Sequence, residues 1–155
     1  YSLGFVTRND EEKKYNPHFD RRHNVNLVST YKFGYQKSWS FDARWNLGSG
    51  FPFTQTQGYY PLIGFNNGIN TDYTNENGEL GILYAEINKG RLPYYHRLDV
   101  ALKKAYKINK NSTFQWNIGV TNAYNRNNIF YFNRVEYEEV YQLPFMPSIG
   151  ASLTF

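Results

Sequence analysis

Six stretches of this chain place apolar residues at every second position, the pattern of a β-strand with one face dedicated to an apolar surrounding. In Tyr1–Arg8, Tyr1, Leu3 and Phe5 share a face. In His23–Phe33, Val25, Leu27, Tyr31 and Phe33 oppose Asn24, Asn26, Thr30 and Lys32. Ser38–Leu47 sets Trp39, Phe41, Ala43, Trp45 and Leu47 against Ser38, Ser40, Asp42, Arg44 and Asn46. His96–Ile108 sets Leu98, Val100, Leu102, Tyr106 and Ile108 against Arg97, Asp99, Ala101 and Lys103. Ser112–Tyr124 and Pro147–Phe155 repeat the pattern with Phe114, Trp116, Ile118 and Val120, then Ile149, Ala151, Leu153 and Phe155. The connections alternate in length. Short turns fall at Gly34–Lys37 and Asn109–Asn111, and long ones at Asn9–Arg22, Gly48–Tyr95 and Asn125–Met146. Asn75–Gly78, within the longest, favours a tight hairpin turn.

An alternating sheet can sit in water or in lipid, and the composition of the two faces separates these cases. The polar face carries Ser, Thr, Asn, Gln, Gly, Asp and Arg rather than a solvating coat of Lys and Glu, which suits the interior of a barrel. Fifteen Tyr, twelve Phe and three Trp outweigh the aliphatic residues of an ordinary core. Tyr31, Phe33, Tyr35, Trp39, Tyr106 and Phe155 fall near strand ends, where amphipathic rings settle at a membrane interface. Strand lengths match a tilted membrane crossing, and short turns on one side with long loops on the other are the rule for transmembrane barrels. The fold class expected is therefore all-β: an antiparallel transmembrane β-barrel segment with long extracellular loops. Six strands fall short of closure, for which about eight is the lower limit. The rest of the wall must come from elsewhere, because open edges leave unpaired backbone groups in lipid. No apolar run reaches the roughly 18 residues of a helical span, and the mean hydropathy of −0.68 agrees. Cysteine is absent, excluding disulfides and thiolate metal sites. The net charge of +4 is scattered, with no basic tract for nucleic acid. The chain starts at Tyr1 without Met or an apolar leader, and residues 1–155 are expected to be part of a longer chain.

The last eight residues, Ser148-Ile-Gly-Ala-Ser-Leu-Thr-Phe155, resemble the outer-membrane β-signal, with Ser148, Gly150, Leu153 and Phe155 at the matching positions. Five further stretches are similar to the C-terminal part of TonB-dependent outer-membrane receptors of the Bacteroidetes type. They are Asp20-Arg-Arg-His-Asn-Val-Asn-Leu, Asn46-Leu-Gly-Ser-Gly-Phe-Pro-Phe-Thr, Gly90-Arg-Leu-Pro-Tyr-Tyr-His-Arg-Leu-Asp99, Asn122-Ala-Tyr-Asn-Arg-Asn-Asn-Ile-Phe130 and Gln142-Leu-Pro-Phe-Met-Pro-Ser148. The resemblance implies a barrel of roughly 22 strands, filled by a plug domain that this sequence lacks. It also implies partners: the remaining barrel and its plug, the TonB complex acting through the plug, the barrel-assembly machinery reading the C-terminal strand, the lipid bilayer, and a surface lipoprotein.

Asp42, Arg44, Arg97, Asp99 and Lys103 point to the expected interior, as plug contacts or wall-stabilising pairs. Phe51, Phe53, Tyr59, Tyr60, Tyr73, Tyr84, Tyr94 and Tyr95 are the loop aromatics suited to contact a sugar or peptide. His18, Asp20 and His23 lack a convincing metal-ligand spacing, so no metal and no cofactor is expected. Glu136, Glu138 and Glu139 read as solvated loop charges. Gly48-Ser-Gly50 opens no helix, which excludes a dinucleotide loop, and Asn111-Ser-Thr113 reads as a chance glycosylation sequon. No catalytic constellation is present, and the chain is not expected to be an enzyme. The functional expectation is the barrel wall and extracellular loops of a transporter in the bacterial cell outer membrane, importing a sugar, peptide or metal chelate. Two alternatives stand beside it: a non-transporting barrel subunit, structural or secretion-linked, and a soluble carbohydrate-binding β-sandwich.

Overall fold

The alternating stretches fold as strands. In the computed structural model, which describes residues 1–61, 80–109, 111–133, 136 and 138–155, the first half of the chain forms β1 (Ser2–Leu3), β2 (Arg8–Asp10), β3 (Lys13–Tyr15), β4 (His23–Phe33), β5 (Trp39–Gly48), β6 (Pro52–Phe53) and β7 (Thr56–Pro61). The second half forms β8 (Leu80–Tyr84), β9 (Gly90–Arg91), β10 (Tyr95–Lys107), β11 (Thr113–Thr121), β12 (Ile129–Asn133), β13 (Glu138–Tyr141) and β14 (Met146–Thr154). The protein is all-β, with a single 3-10 turn at Tyr35–Lys37 among the described residues. Asn75–Gly78 and Tyr73 lie outside the described residues.

Two units result. One comprises Tyr1–Phe5, Arg21–Gly50 and Leu92–Phe155; the other comprises Val6–Asp20 and Phe51–Arg91. The first is built on a six-stranded antiparallel sheet in the order β1-β4-β5-β10-β11-β14, open among the described residues, with β1 and β14 at its edges. Its register sorts the side chains onto two faces. Tyr31, Phe41, Leu102, Ile118 and Ile149 form one row across five strands. Thr30, Asp42, Ala101, Gly119 and Ser148 form the neighbouring row on the opposite face. A one-residue slip would exchange the two faces, so the alternation excludes it.

The turn between β4 and β5 demands glycine at its start. Gly34 has φ +78°, and a Cβ there would lie 2.7 Å from Trp39 Cδ1. Lys37 N donates to Gly34 O at 3.0 Å, closing the turn.

The apolar face has no cover. No Val, Ile, Leu, Met, Phe, Tyr or Trp among the described residues is buried. Ile149 is 83% exposed and Ile118 47%, whereas the buried polar side chains include Asn122, Asn128 and Asp20. An exposed apolar surface of this extent marks a face that meets another apolar body. Tyr31 and Phe33 stack at 5.7 Å, Phe33 stacks on Trp39 at 6.0 Å, and Trp39 meets Trp116 edge-on at 5.6 Å. On the polar face, Asp42 accepts from Thr30 Oγ1 at 2.7 Å and faces the Lys103 ammonium at 2.9 Å. Arg97 pairs with Asp99 at 2.9 Å.

The expected first strand, Tyr1–Arg8, is corrected. Only Ser2 and Leu3 pair with β4, because Arg8 belongs to a local hairpin with β3. Asp10 holds that hairpin: it accepts from Tyr15 Oη at 2.8 Å and Arg8 Nε at 3.0 Å. The Tyr15 hydroxyl first, then Arg8, lowers the Asp10 pKa below the ordinary carboxylate value. The long connections also carry regular structure. In the second unit β6 pairs with β9 and β7 with β8. Its centre is Asp20, 1% exposed, which accepts from Val6 N at 3.1 Å and ion-pairs with Arg91. In the first unit β12 pairs with β13.

Candidate ligand-binding site

The end of the sheet carrying the long connections holds a hollow, and a run of asparagines builds it. Asn122 follows β11 with φ 54° and Asn125 has φ 51°. Asparagine tolerates this left-handed region better than other residues with a Cβ. Asn122 is fully buried. Its Nδ2 donates to Arg126 O at 2.9 Å and Leu143 O at 3.0 Å, while Oδ1 accepts from Arg126 N at 3.0 Å. Its backbone N donates to Asp99 Oδ1 at 3.1 Å, tying the turn to the polar face of β10. Asn128 is 4% exposed and copies the edge of a strand. Its Oδ1 accepts from His96 N at 3.1 Å and its Nδ2 donates to His96 O at 2.9 Å. Asn125 Oδ1 accepts from Phe145 N at 2.9 Å. Three amide side chains thus hold the segment between β11 and β12 without an apolar core beneath it.

This scaffold fixes Arg126, whose Nη2 donates to Tyr94 O at 3.0 Å. The Arg126 Nε is buried and lacks a hydrogen-bond partner. Beside it opens a hollow of about 480 Å³ lined by Tyr94, Tyr95, Arg126, Asn127, Glu139 and Tyr141, among others. Tyr141 Oη donates to Glu139 Oε2 at 2.7 Å. That bond, with burial and the carboxylate charge adding to it, raises the Tyr141 pKa above the ordinary phenol value. His96 Nδ1 lies 2.6 Å from Tyr124 Oη, anchoring the first residues of β10.

No protein family, curated protein or solved structure matches the chain.

The chemistry of the hollow follows from its own groups. Tyrosine rings offer flat apolar surface, and Arg126, Asn127 and Glu139 offer donors and acceptors around it. Such a set suits a polar ligand with apolar ring or backbone faces, a sugar or a peptide. Of the loop aromatics expected to meet ligand, Tyr94 and Tyr95 come together here. Phe51, Phe53, Tyr59, Tyr60 and Tyr84 belong to the second unit, three of them on the hairpin of β7 and β8. Tyr60 packs its ring over Gly81, where a Cβ would sit 2.4 Å from the ring. Arg126 and Tyr141 were not singled out in the sequence; the asparagine run that presents Arg126 was the available signal. Glu139, read as a solvated charge, lines the hollow, whereas Glu136 accepts from Asn133 Nδ2 at 2.6 Å.

Asp42, Arg44, Arg97, Asp99 and Lys103 share the polar face by register, and Arg44 is exposed there. Ser148, Gly150 and Leu153 lie on β14, opposite Gly119, Asn117 and Phe114. Gly150 leaves room for Asn117, whose Oδ1 would lie 2.8 Å from an added Cβ. Phe155 is 89% exposed. Among the described residues no three of His, Asp and Glu come together as metal ligands. The Asp20 carboxylate is taken up by Arg91, and the His23 ring by the Tyr1 hydroxyl at 3.0 Å.

Proposed function

We propose that this chain forms the last part of the barrel wall of an outer-membrane TonB-dependent transporter, with the long connections facing outward and the hollow beside Arg126 taking part in ligand capture. The observation that carries the reading is the uncovered apolar face of the six-stranded sheet, set against an opposite face of paired ions and amides. The five long strands have 11, 10, 13, 9 and 9 residues. A strand of ten residues is about 33 Å long, and tilted by about 40° it spans roughly the 25 Å apolar band of such barrels. The open edges at β1 and β14 suit a wall continued by further strands, and residues 148–155, most of them on the edge strand β14, resemble an assembly signal. A soluble carbohydrate-binding sandwich would need a second sheet over Phe41, Ile118 and Ile149, which stay exposed. A non-transporting barrel subunit shares the same wall. The outer hollow with its buried unpartnered Arg126 Nε favours the transporter.

Two measurements test this reading. In phosphatidylcholine vesicles with brominated acyl chains, the fluorescence of Trp39, Trp45 and Trp116 should be strongly quenched. Emission indifferent to the bromines would show a face packed on protein and end the proposal. Removal of Phe155 should lower the amount of folded protein recovered in the outer membrane by about an order of magnitude. Recovery equal to that of the intact chain would remove the assembly role of β14.

A further inference from the structure

Lys104 breaks the pattern of the apolar face. The register places it in the row Phe33–Trp39–Lys104–Trp116–Ala151, among residues that all belong to that face. Its ammonium lies 4.3 Å from the centre of the Trp39 ring and 5.2 Å from that of Tyr106. No carboxylate among the described residues pairs with it. A cation on this face is tolerable only near the membrane interface, and the row lies toward the short-turn end of the sheet, among the aromatic rings that mark such a level. Adjoining it on the same face is an open apolar hollow of about 430 Å³ lined by Trp116, Ile118, Ile149, Gly150 and Ala151. Ala151 makes the hollow: it stands opposite Trp116 where a larger residue would fill the space. The hollow runs from the row of Lys104 to the row of Ile118 and Ile149, away from the short turns.

From this juxtaposition we infer that Lys104 and the hollow beside Trp116 form a binding site for one anionic glycerophospholipid of the leaflet at the short-turn side. The phosphate takes the ammonium of Lys104, which the faces of Trp39 and Tyr106 hold in place. One acyl chain lies in the hollow over Ile118 and Ile149, pointing toward the bilayer centre. Charge complementarity selects the occupant: a neutral partner would leave the lone cation uncompensated, and a protein partner would need an acidic group at the same depth. Trp116 belongs to both halves of the site, since it faces Lys104 across the ladder and walls the hollow.

The inference rests on the apolar face being lipid-exposed, and the test separates the two. The full chain is reconstituted in phosphatidylcholine vesicles carrying a minor fraction of brominated phosphatidylglycerol, and in the same vesicles carrying that fraction as brominated phosphatidylcholine. The Trp45→Phe background leaves Trp39 and Trp116 as the reporters in this chain. Quenching should favour the anionic lipid by about fivefold in effective affinity, the worth of one cation near an anionic surface. Lys104→Gln should abolish the preference while leaving quenching by the phosphatidylcholine form intact, and Lys104→Arg should keep it. Ala151→Leu, which fills the hollow and retains the cation, should also reduce it. Equal quenching by both lipids in the parent chain, or an undiminished preference in Lys104→Gln or Ala151→Leu, overturns the site and leaves the lipid-facing wall standing. Absence of quenching by either lipid overturns both.

Discussion

Asn122→Ala is expected to destabilise the sheet-bearing unit by about 3–5 kcal/mol. The side chain is fully buried and makes three hydrogen bonds to backbone groups, two to Arg126 in the connection that follows β11 and one to Leu143 beyond β13. Alanine leaves Arg126 N, Arg126 O and Leu143 O without that partner, at about 1 kcal/mol or more for each group. Alanine is also strained at a φ of 54°, by about 1–2 kcal/mol. Asn122→Gly separates the two contributions: it relieves the backbone and keeps the lost bonds, so it should recover about 1 kcal/mol. Denaturant unfolding of the refolded protein in detergent measures both, and proteolysis between Asn122 and Phe145 locates the damage. An alanine variant as stable as the parent would mean that this turn is held by something other than the amide. The same substitution releases Arg126 N and O, and with them the hold on the guanidinium beside Tyr94.

Arg91→Ala is expected to unfold the second unit locally. Asp20 is 1% exposed, and removing the Arg91 guanidinium leaves a buried carboxylate with less compensation, a change that costs about 3–5 kcal/mol. Val6 N continues to donate to it, which places the effect toward the lower end. The double change Asp20→Asn with Arg91→Met should recover most of the loss, since removing both charges removes the desolvation penalty with the pair. Hydrogen exchange at the amides of β6 and β9 reads the result directly. Faster exchange in the double variant than in Arg91→Ala would show that the charge itself, rather than its pairing, organises this unit.

Much of the sheet was legible because strand alternation has only two phases. Once Trp39, Phe41 and Trp45 share a face, their neighbours follow, and β4, β5, β10, β11 and β14 lie within a few residues of the stretches read from the sequence. The first strand is shorter than its alternation implies because a period-2 pattern is blind to competition: Asp10, with Arg8 and Tyr15, draws the segment from Arg8 into its own hairpin. The loop strands β6, β7, β8 and β9 escaped notice for a related reason. β6 and β9 have only two residues each, so no periodicity can accumulate, and β7, with Gly58 and Pro61 and adjacent Tyr59 and Tyr60, does not alternate. The site was half legible. Tyr94 and Tyr95 stood out as loop aromatics, whereas Arg126 became a candidate only through contacts that Asn122 and Asn128 make with segments distant in sequence. Lys104 carries no signal in the sequence, because one cation in an alternating run reads as noise until its neighbours across the ladder are known.

The polar side of the sheet mixes settled charges with unsettled ones: Arg44 and Lys32 share that face and neither is in an ion pair among the described residues. Asp42 answers Lys103 and Asp99 answers Arg97, each within hydrogen-bonding distance. A domain seated against that surface would need no counter-ion for the two pairs, whereas a carboxylate opposite Arg44 or Lys32 would find a partner. Were such a domain to slide along the face, it would meet local dipoles at the two pairs and uncompensated positive charge at Arg44 and Lys32, so the work needed to shift it would depend on the carboxylates it carries as well as on its shape.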